Sequence, residues 1–161
     1  MSAPDPTVAF RRARREDVPA IVALLADDTI AVQRDAELAE HAPGDAISDY
    51  VRAFEAIDLD PRNFLLVAEQ HGTIVGTLQL TYIPSLSRRG SERAQVEAVR
   101  VHRDLRGRGL GKRMMEWAID RARERGCRLV QLTTDKRRTD AHRFYAGLGF
   151  ESSHEGMKLK L

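Results

Sequence analysis

Residues 96–119 read VEAVRVHRDLRGRGLGKRMMEWAI, and this stretch decides the fold. The alternating run that ends at Val101 predicts a strand over 95–101. Met114, Met115, Trp117, Ala118, Ile119 and Ala122 put an apolar face on the helix that follows, and Gly126 ends it. Between strand and helix lies Arg106-Gly107-Arg108-Gly109-Leu110-Gly111. At such a junction the first helical N–H groups have no intrahelical partner and the helix dipole is positive, while glycine lets a ligand approach the backbone. Arg106, Arg108, Lys112 and Arg113 add formal charge. The residues alone admit two readings, a phosphate cradle or a glycine-rich turn with a solvated basic face. Two nucleotide motifs are excluded. A dinucleotide fingerprint needs a third glycine where Lys112 stands, and a Walker loop needs Ser or Thr where Arg113 stands.

Outward from this stretch the chain reads as alternating strands and helices. Val8 to Arg12 predicts a strand, and Asp17 with Pro19 starts a helix that Ile21, Val22, Leu24 and Leu25 carry to about Ala26. Residues 27–62 are polar and acidic, with one helix marked by Ile47, Val51, Phe54 and Ile57 and closed by Asp60-Pro61. Strands over 63–69 and 73–83 flank the His71-Gly72 turn and predict an antiparallel hairpin. Residues 84–93 are a loop by composition. After the long helix, 128–133 predicts a strand, 140–146 a short helix capped by Gly147, and Phe150 onward a final strand. The order is β-α-α-β-β-β-α-β-α-β, a mixed α/β class, with residues 1–7 as a disordered leader and 8–161 as one domain.

Arg106-x-x-Gly109-x-Gly111 after a strand resembles the acetyl-CoA pyrophosphate loop of the GNAT superfamily of N-acetyltransferases. Ala141-His142-Arg143-Phe144-Tyr145-Ala146-Gly147-Leu148-Gly149-Phe150 resembles the family's second motif, A-x-x-F-Y-x-x-x-G-F. Both stand in the family's order and spacing, and the likeness runs from about Val8 to the C-terminus. The resemblance implies an α/β (α+β) fold with a mixed, mostly antiparallel central sheet, helices on both faces and a splayed strand pair at the cofactor site. It implies direct acetyl transfer from acetyl-CoA to a primary amine, with no metal. The backbone of Val99, Arg100 and Val101 would meet the pantetheine arm. Gly107, Arg108, Gly109, Leu110, Gly111 and Lys112 would hold the pyrophosphate through main-chain N–H groups, with Arg106 at the head of the motif.

Tyr145 aligns with the tyrosine that protonates the leaving thiolate, which is general-acid work, and its residue-level alternative is an aromatic anchor between Phe144 and Phe150. Glu97 falls where many relatives carry a base that deprotonates the amine. It shares strand parity with Gln95, Val99 and Val101, and its alternative is a solvent-facing glutamate paired with arginine. One position departs from the pattern: seven residues before the tyrosine the family often has asparagine, and this chain has Arg138. Arg138 then reaches a phosphate, or Asp140 or Thr139 replaces the contact. His102, His142 and His154 lack metal spacing. Cys127 reads as a packing residue, since direct transfer needs no acyl-enzyme.

Composition narrows the partners. The 161 residues are 42% hydrophobic and 31% charged, enough apolar content for a core and too even a charge for disorder. No run reaches the ~18 apolar residues of a membrane span, and Met1 to Pro6 lacks signal-peptide order. These features predict a soluble, cytoplasmic chain. The balance of 26 Lys+Arg against 24 Asp+Glu hides two opposite halves. From Asp27 to Asp60 there are ten acidic residues and two arginines, whereas Arg100 to Arg143 holds fourteen basic and six acidic residues. In the resembled fold this predicts negative potential at the acceptor mouth and positive potential at the cofactor, hence a cationic small-molecule or peptide amine as acceptor. Two solvated faces of opposite sign are the plain alternative. A nucleic-acid module is disfavoured by few aromatics and the absence of a helix-turn-helix or RNA-binding signature. A non-catalytic acyl-CoA sensor stays open. A homodimer through strands 128–133 and 150–161 is a further expectation.

Overall fold

The β-branched hairpin expected around His71-Gly72 is the centre of the sheet. β2 (Asn63–Gln70) pairs antiparallel with β3 (Thr73–Ile83), and the turn places His71 and Gly72 at positive φ. β1 (Val8–Arg12) adds to the outer side of β2 and β4 (Arg93–Val101) to β3, both antiparallel. β5 (Leu129–Gln131) joins β4 in parallel, giving the order β1-β2-β3-β4-β5. This computed structural model describes residues 7–41 and 45–161, so the expected leader lies largely outside the described residues.

Helices cover both faces. α1 (Val18–Ala26) and α3 (Ala46–Leu59) enclose a small core of Ala13, Val18, Ile21, Phe54 and Val67. On the opposite face α5 (Leu110–Glu124) buries Leu110, Met114, Met115, Ala118 and Ala122 against Leu66, Leu78, Leu80, Ala94 and Val96. Gly76 permits this close approach. A Cβ there would stand 2.8 Å from Met114 Sδ and 3.3 Å from the Ala68 Cβ. α6 (Thr139–Gly147) adds Phe144 and Tyr145 to the edge of the larger core. Loop 84–92 holds a single turn, α4 (Ser87–Gly90), in which Arg88 and Arg89 take positive φ. No helix among the described residues is long and apolar enough to cross a membrane.

Three expectations need correction. First, the acidic segment holds two helices, because α2 (Thr29–His41) precedes α3. α2 has no wide apolar stripe. It is started instead by Asp28, whose Oδ1 accepts the Ile30 N–H at 3.0 Å. Second, residues 150–161 form no strand, and β5 is three residues rather than the six of 128–133. From Glu151 onward every residue is exposed, so the tail buries no face that would fix a register. Third, strand parity fails in β4. Ala98 takes φ 52° and the register slips there, so Gln79 faces Glu97 while Thr77 faces Arg100. Thr77 and Gln79 lie two apart on β3, so Glu97 and Arg100 share the α1/α3 face. Val99 and Val101 pack on the α5 side, and Glu97 therefore does not share their face.

Candidate active site

β4 and β5 pair at only three positions, ending at Gln95 opposite Gln131, and β4 runs on to Val101. The backbone of Val96 to Val101 is thereby released from β5 on that side, the opening that the family resemblance implies for the strand before the loop. At the end of β4, Leu105 closes a short 3₁₀ turn (Arg103–Leu105) and the glycine loop follows. Gly107 (φ 74°) and Gly109 (φ 85°) adopt left-handed conformations that side chains resist, and Gly109 caps α5. No atom comes within 4 Å of a Cβ built on either glycine, so a ligand has room to reach the main chain. The first bond of the helix runs from Arg113 N–H to Gly109 C=O at 3.1 Å. The N–H groups of Leu110, Gly111 and Lys112 point out of the helix start with the positive end of its dipole. These donors fit an anionic phosphate group.

The basic side chains of the loop divide in use. Arg106 donates from Nε to the Val101 carbonyl at 3.1 Å and from Nη2 to Asp27 Oδ2 at 2.9 Å. It braces the loop against the α1–α2 junction. Arg103 reaches the other oxygen of Asp27 at 2.6 Å. Arg108 makes no ion pair among the described residues and stands exposed, and Lys112 pairs with Glu116 at 3.7 Å.

Tyr145 is half-buried against Phe144 and Phe150, with ring centroids at 5.1 and 5.9 Å. Burial pushes its hydroxyl above the ordinary phenol value, while the nearby Arg100 and Arg138 guanidiniums pull it back. The phenol is therefore a protonated donor at neutral pH. Glu97 is exposed and makes no hydrogen bond or ion pair among the described residues. The structure thus brings Arg100, Arg138 and Tyr145 together and holds Glu97 on the other face of β4 from Val99 and Val101. Burial raises the Cys127 thiol, which keeps it from acting as a thiolate. No cluster of three potential metal ligands occurs among the described residues.

Sequence reasoning missed Asp27 and Asp28. Each carboxylate bridges two arginines far along the chain: Arg103 and Arg106 for Asp27, Arg100 and Arg138 for Asp28. The available signal was an acidic doublet at a helix junction, in a chain with four arginines within 100–108. The acidic segment is also less free than its balance suggests. Asp35, Asp49, Glu55 and Asp58 form ion pairs as well. A cleft of about 360 Å³ opens beside the doublet, lined by Ala26, Asp27, Asp28, Thr29, Val32 and Gln33.

Residues 19–150 match the model of the acetyltransferase (GNAT) family. The chain belongs to the GNAT acetyltransferase family. Its relatives include the aminoalkylphosphonate N-acetyltransferase of Salmonella typhimurium, 28% identical over 149 residues, which span 92% of this chain and 88% of that one. The streptothricin acetyltransferase of Streptomyces lavendulae is 30% identical over 119 residues, 74% of this chain and 60% of that one. The crystal structure of a transcriptional regulator from Bacillus halodurans C-125 superposes with a TM-score of 0.86 at 46% identity, covering 96% of this chain and 99% of that one. These two relatives and the glucosamine 6-phosphate N-acetyltransferase of Trypanosoma brucei brucei are acetyltransferases by name, and this GNAT chain is an acyltransferase.

Proposed function

We propose that this GNAT protein moves an acetyl group from acetyl-CoA directly to a primary amine, carried in solution as its ammonium, of a small molecule or peptide in the cytoplasm. The observation that carries the reading is the glycine loop at the start of α5. Its outward N–H groups open beside the stretch of β4 that β5 leaves uncovered, and Gly111 lies against Phe144, the neighbour of Tyr145. When bound, acetyl-CoA supplies the thioester carbon and the thiol that leaves. In this reading the N–H groups of Gly107 to Lys112 hold the pyrophosphate, and the main chain of Val99, Arg100 and Val101 holds the pantetheine arm.

The acceptor arrives as an ammonium, since lysine-like amines titrate near ~10.4, and must lose a proton before its lone pair is free. Glu97 accepts that proton, directly or through water. The C–N bond forms, the C–S bond breaks, and Tyr145 donates its hydroxyl proton to the sulfur. Tyr145 is then reprotonated by the proton the new amide nitrogen sheds, so one proton is released per turnover. Arg138 stands where the family often has asparagine, and its guanidinium pairs with Asp28.

Thiol release from acetyl-CoA over a panel of primary amines tests this. At least one amine class is expected to turn over, and Tyr145→Phe is expected to lower kcat by roughly 10²-fold or more with the KM for acetyl-CoA little changed. Full turnover in Tyr145→Phe removes the tyrosine from the mechanism. Absence of release with every amine removes the reading. A second reading, an acyl-CoA-responsive regulator, draws on the 46%-identical Bacillus structure being a transcriptional regulator. Tight acetyl-CoA binding without turnover on any amine would favour it.

A further inference from the structure

The ion cluster at the end of β4 carries more positive charge than it neutralises. Arg100 Nη2 lies 2.9 Å from Asp28 Oδ2, and Arg138 from the start of α6 reaches the same oxygen. The three side chains are 16, 28 and 10% exposed for Arg100, Arg138 and Asp28. The other oxygen, Oδ1, is occupied by the Ile30 and Ala31 N–H groups at the start of α2. One carboxylate therefore serves two guanidiniums and a helix cap.

Two buried polar atoms of the cluster, one donor and one acceptor, lack a hydrogen-bond partner among the described residues. Arg100 Nη1 donates to the Val99 carbonyl at 2.8 Å, but its Nε is buried with no hydrogen-bond partner among the described residues. Asp28 Oδ2 is likewise buried and meets the guanidiniums as ion pairs outside hydrogen-bond geometry. Arg34 on α2 lies within electrostatic reach of Arg100, with its own charge met by Asp35 at 3.1 Å. Buried guanidinium charge left without full compensation is costly, and a buried donor without an acceptor adds to that cost. A protein keeps such a surplus where a ligand supplies the missing anion, and the planar fork of arginine suits a carboxylate or phosphonate. Arg100 and Arg138 lie within electrostatic reach of the Tyr145 hydroxyl, and Asp28 lines an open surface depression of about 360 Å³ at the α1–α2 junction.

We propose that Arg100 and Arg138, held in place by Asp28, bind an acidic group on the acceptor, so that the acceptor is an amine bearing a carboxylate or phosphonate. This rests on the acetyl-transfer reading. Asp28 holds the guanidiniums in position before the acceptor arrives, and the acceptor's acid meets the positive charge that a single carboxylate leaves unbalanced on the partly exposed Arg138 and Arg100. The acidic group anchors the molecule while its amine end meets the thioester. A bare amine of the same length lacks the anchor and leaves the surplus unpaired, which is how a polar site discriminates.

The test compares amines in pairs that differ only in the acid: β-alanine against ethylamine, and aminomethylphosphonate against methylamine. Initial rates of thiol release are measured with acetyl-CoA saturating. The acid-bearing members are expected to show kcat/KM at least tenfold higher, and Arg138→Gln to collapse that ratio about tenfold, with Arg138→Lys intermediate. Equal kcat/KM within the pairs overturns the proposal on the wild-type protein alone, whatever the variants do. A preference that survives in both Arg138→Gln and Arg100→Gln also overturns it. If no amine releases thiol, the acetyl-transfer reading fails, and thermal shifts decide the anion site separately. Stabilisation by aminomethylphosphonate that Arg138→Gln abolishes upholds the site, and no stabilisation of the wild-type protein overturns it.

Discussion

Two arginine–carboxylate clusters in this molecule are built from the same parts in opposite proportion. At the edge strand, Arg11 donates from Nε to Glu69 at 2.7 Å and from Nη1 and Nη2 to Asp17 at 2.7 and 3.0 Å. A fourth donation reaches the Arg12 carbonyl at 3.2 Å. One cation meets two carboxylates, and each guanidinium nitrogen is used. At the end of β4 two cations meet one carboxylate, and Arg100 Nε has no partner among the described residues. The first cluster ties β1 to β2 and to the start of α1, and it is complete without a ligand. The second joins α2, β4 and α6 beside Tyr145 and is incomplete. A finished ion cluster holds a fold, whereas one short of an acceptor belongs to a site.

Removing Asp17 tests the first half of that contrast and carries the largest expected effect. Its side chain is 7% exposed and also accepts the Arg14 N–H at 2.7 Å, so Asp17→Ala removes two of the Arg11 donations, leaves Glu69 alone to balance its charge and orphans the Arg14 N–H. A loss of about 3 kcal/mol in chemical denaturation is expected, with kcat per folded molecule unchanged. Acid probes the same pair. The Arg11 guanidinium holds Asp17 below the usual carboxylate range. Its contribution is therefore complete above the unfolded value of ~3.9 and is lost as pH falls through the lower folded value. Wild type is expected to lose stability over that window more steeply than Asp17→Ala. Equal slopes would break the assignment.

Asp28→Asn is the mirror experiment. Asparagine still caps α2, so stability is expected to fall less than in Asp17→Ala. Turnover is expected to drop about tenfold, because Arg100 and Arg138 lose their brace beside Tyr145. A stability loss matching that of Asp17→Ala, with kcat/KM intact, would erase the difference between the clusters. Gly109→Ala sharpens the comparison from the cofactor side. Alanine at φ 85° costs about 1 kcal/mol of strain and disturbs the helix-start N–H groups. The KM for acetyl-CoA is expected to rise severalfold, and the preference between acid-bearing and bare amines to persist. Lys160→Ala is the smallest. Lys160 meets Glu37 on the surface at 2.8 Å, and neither Tm nor rate is expected to move.

The legible parts of this protein are those governed by local rules. The β-branched hairpin at His71-Gly72, the glycine loop and the apolar face of α5 follow from short-range periodicity and backbone freedom, and each stands where the residues put it. α2 was hidden because Asp28 begins it, rather than an apolar stripe. The tail carries a strand-like alternation at Met157, Leu159 and Leu161, yet it buries nothing. The bulge at Ala98 shifts one residue of β4, and period-2 counting has no means of seeing that. Asp27 and Asp28 find their arginines across at least 72 residues, from Asp28 to Arg100. Such pairs are set by which helix junction packs over which strand end. The site motifs were therefore readable, while the charges that tune them required the fold.

The central claim is that this site joins an acetyl group to nitrogen. Mass spectrometry of the products, after incubation of the wild-type protein with acetyl-CoA and aminomethylphosphonate or β-alanine, measures it most directly. The expected product is an amine acetylated on nitrogen, with one free thiol formed for each acetyl group transferred. Thiol released without an acetylated amine, or an unchanged mixture, would contradict it.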